Sequence, residues 1–139
     1  MRPDPLRAAD TRAWLAKADL DLRSARADLA ASPPILGDAL FHCQQAVEKS
    51  LKAWLTWHDR PFRKTHDLGE LGVQGAALDD RLEPLLREAA PLTEYAWQFR
   101  YPGEVTEPSG EETAAGLNLA ERVVAAIVAH LPQEARPNL

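Results

Sequence analysis

Apolar residues recur at steps of three and four along most of this chain, and no segment shows the apolar–polar alternation of a β-strand. Steps of three and four place side chains on one face of an α-helix, whereas a strand needs a period of two. The pattern therefore predicts an all-α protein, folded as an antiparallel bundle of four long helices plus one short helix.

The first two long helices have clear boundaries in the sequence. The first is predicted from Thr11 to Ala31, because the Ser-Pro-Pro run that follows cannot continue a helix. Asp38 is the predicted N-cap of the second helix. The core face of that second helix is predicted to carry Leu40, Cys43, Val47, Leu51 and Trp54.

The second half of the chain is predicted to contain the short helix and the last two long ones. Thr65 or Asp67 caps the short helix, and a fourth helix covers residues 78–99 with a kink at Pro91. Residues 100–112 are predicted to form an ordered loop or a mobile lid. The last helix is predicted to place on its core face Leu117, Ala120, Val124, Ile127 and Leu131.

The length and the proportion of apolar residues predict a single domain. The chain has 139 residues, of which 45% are apolar, enough to bury a substantial core. We expect one domain over residues 1–139, with a core of about 11–131, flexible termini and a frayed tail after Pro132.

Composition and charge exclude several classes of protein. A net charge of −5 argues against broad, nonspecific affinity for nucleic acid, although a local basic site remains open. Cys43 is the single cysteine, so no intrachain disulfide can form, and no set of residues has the spacing of a metal site. We therefore expect neither a metal nor a cofactor. The N-terminus lacks the apolar run of a leader peptide, which together with the absence of a membrane span predicts a cytoplasmic protein.

A polar strip on the second helix is the first candidate for function. At 100° per residue, Phe41, Gln45, Glu48, Lys52 and Leu55 fall on one line opposite the core face. Apolar residues close both ends of this line, which favours a covered surface. The cover could be a dimer interface or a ligand cleft, and the alternative is a solvated face with two isolated apolar residues.

Three motifs together give the chain a family resemblance. They are the run FHCQQAVEKSLKAWL on the second helix, the later THDLGEL, and FRYPGE before the long loop. In combination they resemble the HEPN domain family, small all-helical domains often encoded beside minimal nucleotidyltransferases in prokaryotes. The resemblance covers residues 14–131.

The resemblance implies a helical bundle that forms a homodimer with a cleft between subunits. It also implies either binding of a nucleotide or RNA, or metal-independent ribonuclease activity as the toxin of a toxin–antitoxin pair. Catalytic members carry an Arg followed four to six residues later by His on a late helix. Here only Arg60 and His66 have that spacing, and they lie in the connector, whereas no His follows Arg100 at that distance. Whether the protein is an enzyme is therefore left open.

The candidate site residues follow from this comparison and from residue chemistry. If the protein is a ribonuclease toxin, His66 would act as general acid or base and Arg100 would stabilise charge on the phosphate. Arg60 is the alternative arginine. The binding residues are predicted to be Gln45, Glu48, Lys52, Arg63, Lys64 and Tyr101. His66 could instead be part of a helix cap, and Arg100 could pair with a carboxylate.

Two functions from different classes remain as hypotheses. The first is a nucleotide- or RNA-phosphate-binding component of a nucleotidyltransferase–HEPN pair, including the ribonuclease toxin. The second is a noncatalytic dimerising interaction module, in which the polar strip is only an interface.

Overall fold

The computed structural model describes residues 4–103 and 106–138, and within them the chain is helical and contains no strand. The α-helices in these ranges are α1 Pro5–Ala30, α2 Leu36–Trp57, α3 Leu68–Ala76, α4 Glu83–Ala89 and α5 Gly110–Ala129. Short 3-10 helices cover Asp80–Leu82, Ala90–Ala96 and Gln133–Ala135. The predicted all-α class is confirmed.

Helix α2 is the centre of the bundle. It packs against α1, α3, α5 and the 3-10 helix Ala90–Ala96. The predicted core face of α2 is confirmed, since Leu40, Cys43 and Val47 are fully buried and Trp54 is only 3% exposed. The site described below lies on another side of this helix.

The starts of the first two helices differ from the prediction. Helix α1 begins at Pro5, six residues before Thr11, because the Asp4 side chain accepts a hydrogen bond from the Leu6 amide and caps the helix. Proline at the first helical position is favourable, since that amide would have no partner in the helix. The prediction that Asp38 caps α2 was wrong: α2 begins at Leu36, and Asp38 lies in its first turn.

The predicted fourth helix over residues 78–99 is divided. A 3-10 turn leads into α4, and the chain then changes to 3-10 geometry at Ala90. Pro91 explains the change, because it lacks an amide hydrogen and its ring disrupts the α-helical hydrogen-bond pattern. The result is a series of short helices that still packs on α2 through Leu92, which is 5% exposed.

The C-terminal part is more ordered than predicted. Ser109 caps α5 by accepting a hydrogen bond from the Glu112 amide, and the buried face of α5 includes Val123 where Val124 was expected. Beyond Pro132 the predicted fraying was wrong, because Ala135 is fully buried. Of the predicted loop 100–112, residues 104–105 lie outside the described ranges.

A tight turn at the end of α2 sets the path of the following connector. Asp59 adopts a positive φ of 54°, and the Arg60 amide donates to the Leu55 carbonyl at 2.9 Å. This is the hydrogen-bond pattern of a Schellman motif, in which one left-handed residue ends the helix and reverses the chain. The connector, residues 60–67, therefore returns along α2 before α3 begins at Leu68.

Candidate functional site

Three of the five residues of the polar strip of α2 are buried within a single chain, and Phe41 and Gln45 are half-buried. Glu48 is 3% exposed, Lys52 is 7% exposed and Leu55 is fully buried. The solvated-face alternative was therefore wrong. The strip is also covered without a second subunit or a ligand, because the chain supplies its own cover.

Two aromatic side chains form the part of this cover that lies over Lys52. Trp14 comes from α1 and Phe62 from the connector, and their rings meet edge to face with centroids 6.3 Å apart. The ammonium nitrogen of Lys52 lies 5.7 Å from the Trp14 ring centroid and 5.8 Å from that of Phe62. Cation–π attraction of this kind partly compensates a buried ammonium for lost hydration.

Glu48 is the centre of the hydrogen-bond network beneath the cover. One carboxylate oxygen, Oε2, accepts from Lys52 Nζ at 3.0 Å. The other, Oε1, accepts from His66 Nδ1 at 2.7 Å and from Gln44 Nε2 at 3.1 Å. Gln45 Nε2 lies 3.5 Å from the same oxygen. These contacts satisfy a carboxylate that is shut off from water.

The network keeps Glu48 ionised. Burial is the largest single influence and raises the pKa of Glu48, but the hydrogen bonds from His66, Gln44 and Lys52 together outweigh it. The pKa of Glu48 therefore lies below its ordinary value. An ionised carboxylate can only accept hydrogen bonds, so the proton between it and the imidazole belongs to His66 Nδ1.

His66 turns its other ring nitrogen away from this network. Its side chain is 64% exposed, and within the described ranges Nε2 has no hydrogen-bond partner. The backbone of His66 is also fixed, because its carbonyl accepts from Gln44 Nε2 at 3.3 Å. An imidazole oriented by a buried carboxylate, with Nε2 open to solvent, is suited to bind phosphate or to transfer a proton.

Asp67, and not His66, caps helix α3. The alternative role of His66 as part of a helix cap is therefore wrong. The carboxylate of Asp67 accepts from the amides of Gly69 and Glu70 at 2.9 and 3.2 Å. The prediction of Asp67 as the cap of α3 is confirmed, and the His66 side chain takes no part in it.

The basic residues of the connector are arranged less favourably than the sequence suggested. Arg63 forms a two-pronged ion pair with Glu70, at 2.8 and 3.1 Å, which occupies its guanidinium. Lys64, two residues before His66, is exposed and has no ion-pair partner in the described residues. Arg60 lines a cavity of about 350 Å³ that has Asp4, Asp10 and Asp59 in its wall, and His66 is not among the lining residues.

Arg100 and Tyr101 lie at the other end of the strip. The guanidinium carbon of Arg100 stacks 3.9 Å from the centroid of the Phe41 ring, and Tyr101 is 73% exposed. Phe41 is seven residues before Glu48, so Arg100 and the anchor of His66 are about 10 Å apart along α2, on the same side of it. The structure does not join Arg100 and His66 directly.

Gln44 is the residue of this network that the sequence analysis missed. It was placed in the helix run without a role, yet it is fully buried and bridges Glu48, the His66 carbonyl and Gln45. A glutamine on the border between the core face and the polar strip was the available signal. Burial raises the pKa of the Cys43 thiol to about 12.

Comparison with known proteins supports the resemblance found in the sequence. The model of the HEPN domain family matches residues 11–131. Searches of curated proteins and of solved structures found no match. Among the described residues, no helix has both the length and the apolar character needed to cross a lipid bilayer.

Proposed function

The chain belongs to the HEPN domain family, and we propose that it binds the phosphate groups of RNA or of a nucleotide at the exposed edge of His66. The observation that carries this proposal is the hydrogen bond of 2.7 Å between His66 Nδ1 and the buried Glu48. It fixes the imidazole with Nε2 turned away from the buried carboxylate, and the His66 side chain is 64% exposed. When the ring is doubly protonated, Nε2 can donate to a phosphate oxygen, and the exposed ammonium group of Lys64 adds positive charge on the same connector.

Arg100 and Tyr101 extend this site toward the other end of the strip. A ligand that contacts both His66 and Arg100 must span about 10 Å, which is longer than one phosphate group and favours an oligonucleotide or a nucleotide with several phosphates. Tyr101 offers an exposed ring on which a base can stack.

The experiment is a fluorescence-anisotropy titration with a short single-stranded RNA and, separately, with nucleoside triphosphates at low salt. We expect His66→Gln and Arg100→Gln each to weaken binding at least tenfold. Arg23→Gln, which removes an exposed arginine of α1, is the matched control and should leave binding unchanged. Undetectable binding of both ligands to the folded wild-type chain would refute the proposal.

A second candidate function, metal-independent RNA cleavage, is favoured by the same carboxylate–imidazole pair. With Nδ1 held by Glu48, Nε2 of His66 can take a proton from a ribose 2′-hydroxyl or return one to the leaving oxygen. Cleavage of RNA in the presence of EDTA, abolished in His66→Ala, tests it. Binding without cleavage would leave the phosphate-binding function and exclude the nuclease.

The assembly that accompanies this function is also part of the proposal. The protein would act as a homodimer and in a pair with a nucleotidyltransferase, as the family resemblance implies. Co-expression with a neighbouring nucleotidyltransferase and co-purification test the pair. Sedimentation of the chain alone tests the dimer, and a dimer without any phosphate ligand would favour the interaction module instead.

Lys52→Glu is unsuitable for testing a dimer interface. Lys52 lies under Trp14 and Phe62 of its own chain, so its replacement would place a second carboxylate next to Glu48 in the interior. Loss of the dimer in that variant would report unfolding.

A further inference from the structure

A second group of titratable side chains lies where α1 and α2 meet, outside the phosphate-binding site. Asp28, Asp38 and His42 each offer one ligating atom, and these atoms all lie within 4.8 Å of one another. Asp38 and His42 are four residues apart on α2, so they share one face of the helix. Asp28 comes from the end of α1, where its carbonyl accepts from the Ile35 amide at 2.9 Å and holds the connection in place.

His42 is oriented by a buried carboxylate behind it. Asp21, which is 7% exposed, accepts from His42 Nδ1 at 2.8 Å and from Lys49 Nζ at 2.7 Å. An ionised Asp21 requires the proton on Nδ1, so in the neutral ring the lone pair is on Nε2 and points toward Asp38. A carboxylate on the rear nitrogen is the arrangement that commonly orients metal-binding histidines.

Asp28 supplies an independent indication of a missing partner. Its Oδ2 atom is shut off from solvent and has no hydrogen-bond partner in the described part of the chain. A buried oxygen without a partner is costly. Among the described residues Lys49 pairs with Asp21, and neither Asp28 nor Asp38 has an ion-pair partner other than His42.

The spacing of the donor atoms fits a shared ion. Two ligands bound at about 2.1 Å in tetrahedral geometry are about 3.4 Å apart, and His42 Nε2 and Asp38 Oδ2 are 3.3 Å apart. The Asp38 side chain is 46% exposed, which leaves a route from solvent. The ligating oxygen of Asp28 lies within 4.8 Å of the ligating atoms of both Asp38 and His42.

We propose that Asp28, Asp38 and His42 bind a divalent first-row transition-metal ion, with Asp21 as the residue that positions the imidazole. One nitrogen and two carboxylate ligands favour Zn²⁺ or Mn²⁺ over Mg²⁺ and Ca²⁺, which prefer oxygen ligands alone. The ion would join the end of α1 to the start of α2. This role is structural and separate from the proposed phosphate site, whose chemistry uses no metal.

Calorimetric titration of the tag-free, chelator-treated chain with Zn²⁺ tests the proposal. We expect one ion per chain, and a melting temperature about 5 °C higher or more at a hundredfold excess over the dissociation constant. Asp38→Asn should weaken binding at least tenfold. Glu83→Gln, which removes another half-exposed carboxylate, is the matched control and should bind as the wild type does.

Paramagnetic broadening locates the ion independently of affinity. Substoichiometric Mn²⁺ should broaden the imidazole signals of His42 before those of the exposed His66. The proposal is overturned if no ion binds one to one, if Asp38→Asn binds as tightly as the wild type, or if His66→Ala abolishes binding. If Asp28 and Asp38 instead share a proton and bind no ion, the titration will show no one-to-one binding.

Discussion

Two clusters that share helix α2 with neighbouring segments are built on the same plan, and they differ in which groups they leave open to solvent. In each, a buried carboxylate accepts from a histidine Nδ1 with one oxygen and from a lysine Nζ with the other: Glu48 with His66 and Lys52, and Asp21 with His42 and Lys49. In the first cluster the lysine is enclosed and the histidine is exposed. In the second both partners are about one quarter exposed.

The difference decides which chemistry each cluster can support. His66 keeps one ring nitrogen free for a ligand from solvent, whereas Nε2 of His42 already faces Asp38 at 3.3 Å. A free nitrogen is suited to phosphate or proton transfer, and a nitrogen surrounded by carboxylates is suited to a cation. The same pair of residue types therefore supports different functions according to what surrounds the outer nitrogen.

The largest expected effect is on stability, in Glu48→Gln. Removing this charge leaves Lys52 buried without a counterion, and breaking a buried ion pair in this way costs about 3 kcal/mol or more of the free energy of unfolding. Urea unfolding measures it. Glu70→Gln, which breaks the exposed pair with Arg63, is the control and should change stability little. Equal losses of stability in the two variants would contradict the claim that the Glu48–Lys52 pair is buried.

Asp21→Asn should cost less than Glu48→Gln. Both of its partners reach water, so they regain hydration when the carboxylate is lost, and we expect a loss of about 1–2 kcal/mol in the free energy of unfolding. The same urea experiment decides the order. A larger loss in Asp21→Asn than in Glu48→Gln would reverse the comparison between the two clusters.

The pH dependence of stability should identify Glu48 as the ionised centre of its cluster. Because its folded-state pKa is lower than the ordinary value of 4.5, Glu48 stabilises the fold above pH 4.5 and loses this contribution as the pH falls through the folded-state pKa. The difference in unfolding free energy between the wild type and Glu48→Gln should shrink with acidification below pH 4.5. A difference independent of pH from 7 to 3 would exclude an ionised Glu48.

The smallest expected effect is that of His66→Ala. The side chain is largely exposed, and its loss should lower the free energy of unfolding by about 1 kcal/mol or less, less than His42→Ala. The combination of a small loss of stability with a large loss of RNA or nucleotide binding would distinguish a ligand-binding histidine from a structural one. A stability loss as large as that of Glu48→Gln would indicate that His66 serves the fold.

The features that the sequence predicted correctly are those encoded by neighbouring residues. The core face of α2 follows from the three- and four-residue spacing of apolar side chains, which a short stretch of sequence is enough to show. The Asp67 cap follows from the residues next to it. The start of α1 was missed because the signal Asp4–Pro5 lies before the first apolar step. The length of the fourth helix was overestimated, because apolar residues three and four positions apart also occur where the chain changes from α to 3-10 geometry.

The site was predicted only in part because its contacts join distant segments. Glu48 and Lys52 are readable as a pair on one helix, but their cover combines Trp14 with Phe62, and their link to His66 depends on the turn at Asp59. The left-handed residue of that turn is an aspartate, so the sequence has no glycine there to predict it. The Asp28, Asp38 and His42 group likewise draws on two helices, so the spacing within either one gave no sign of it.

The enclosure of Lys52 has a consequence for chemical reactivity. An amine held between two aromatic rings and a carboxylate is inaccessible to acylating reagents, whereas Lys17 and Lys64 are exposed. Lys52 should therefore react only when the connector lifts away from α2. Its rate of acylation, measured by mass spectrometry, would report how often the loop that carries His66 opens.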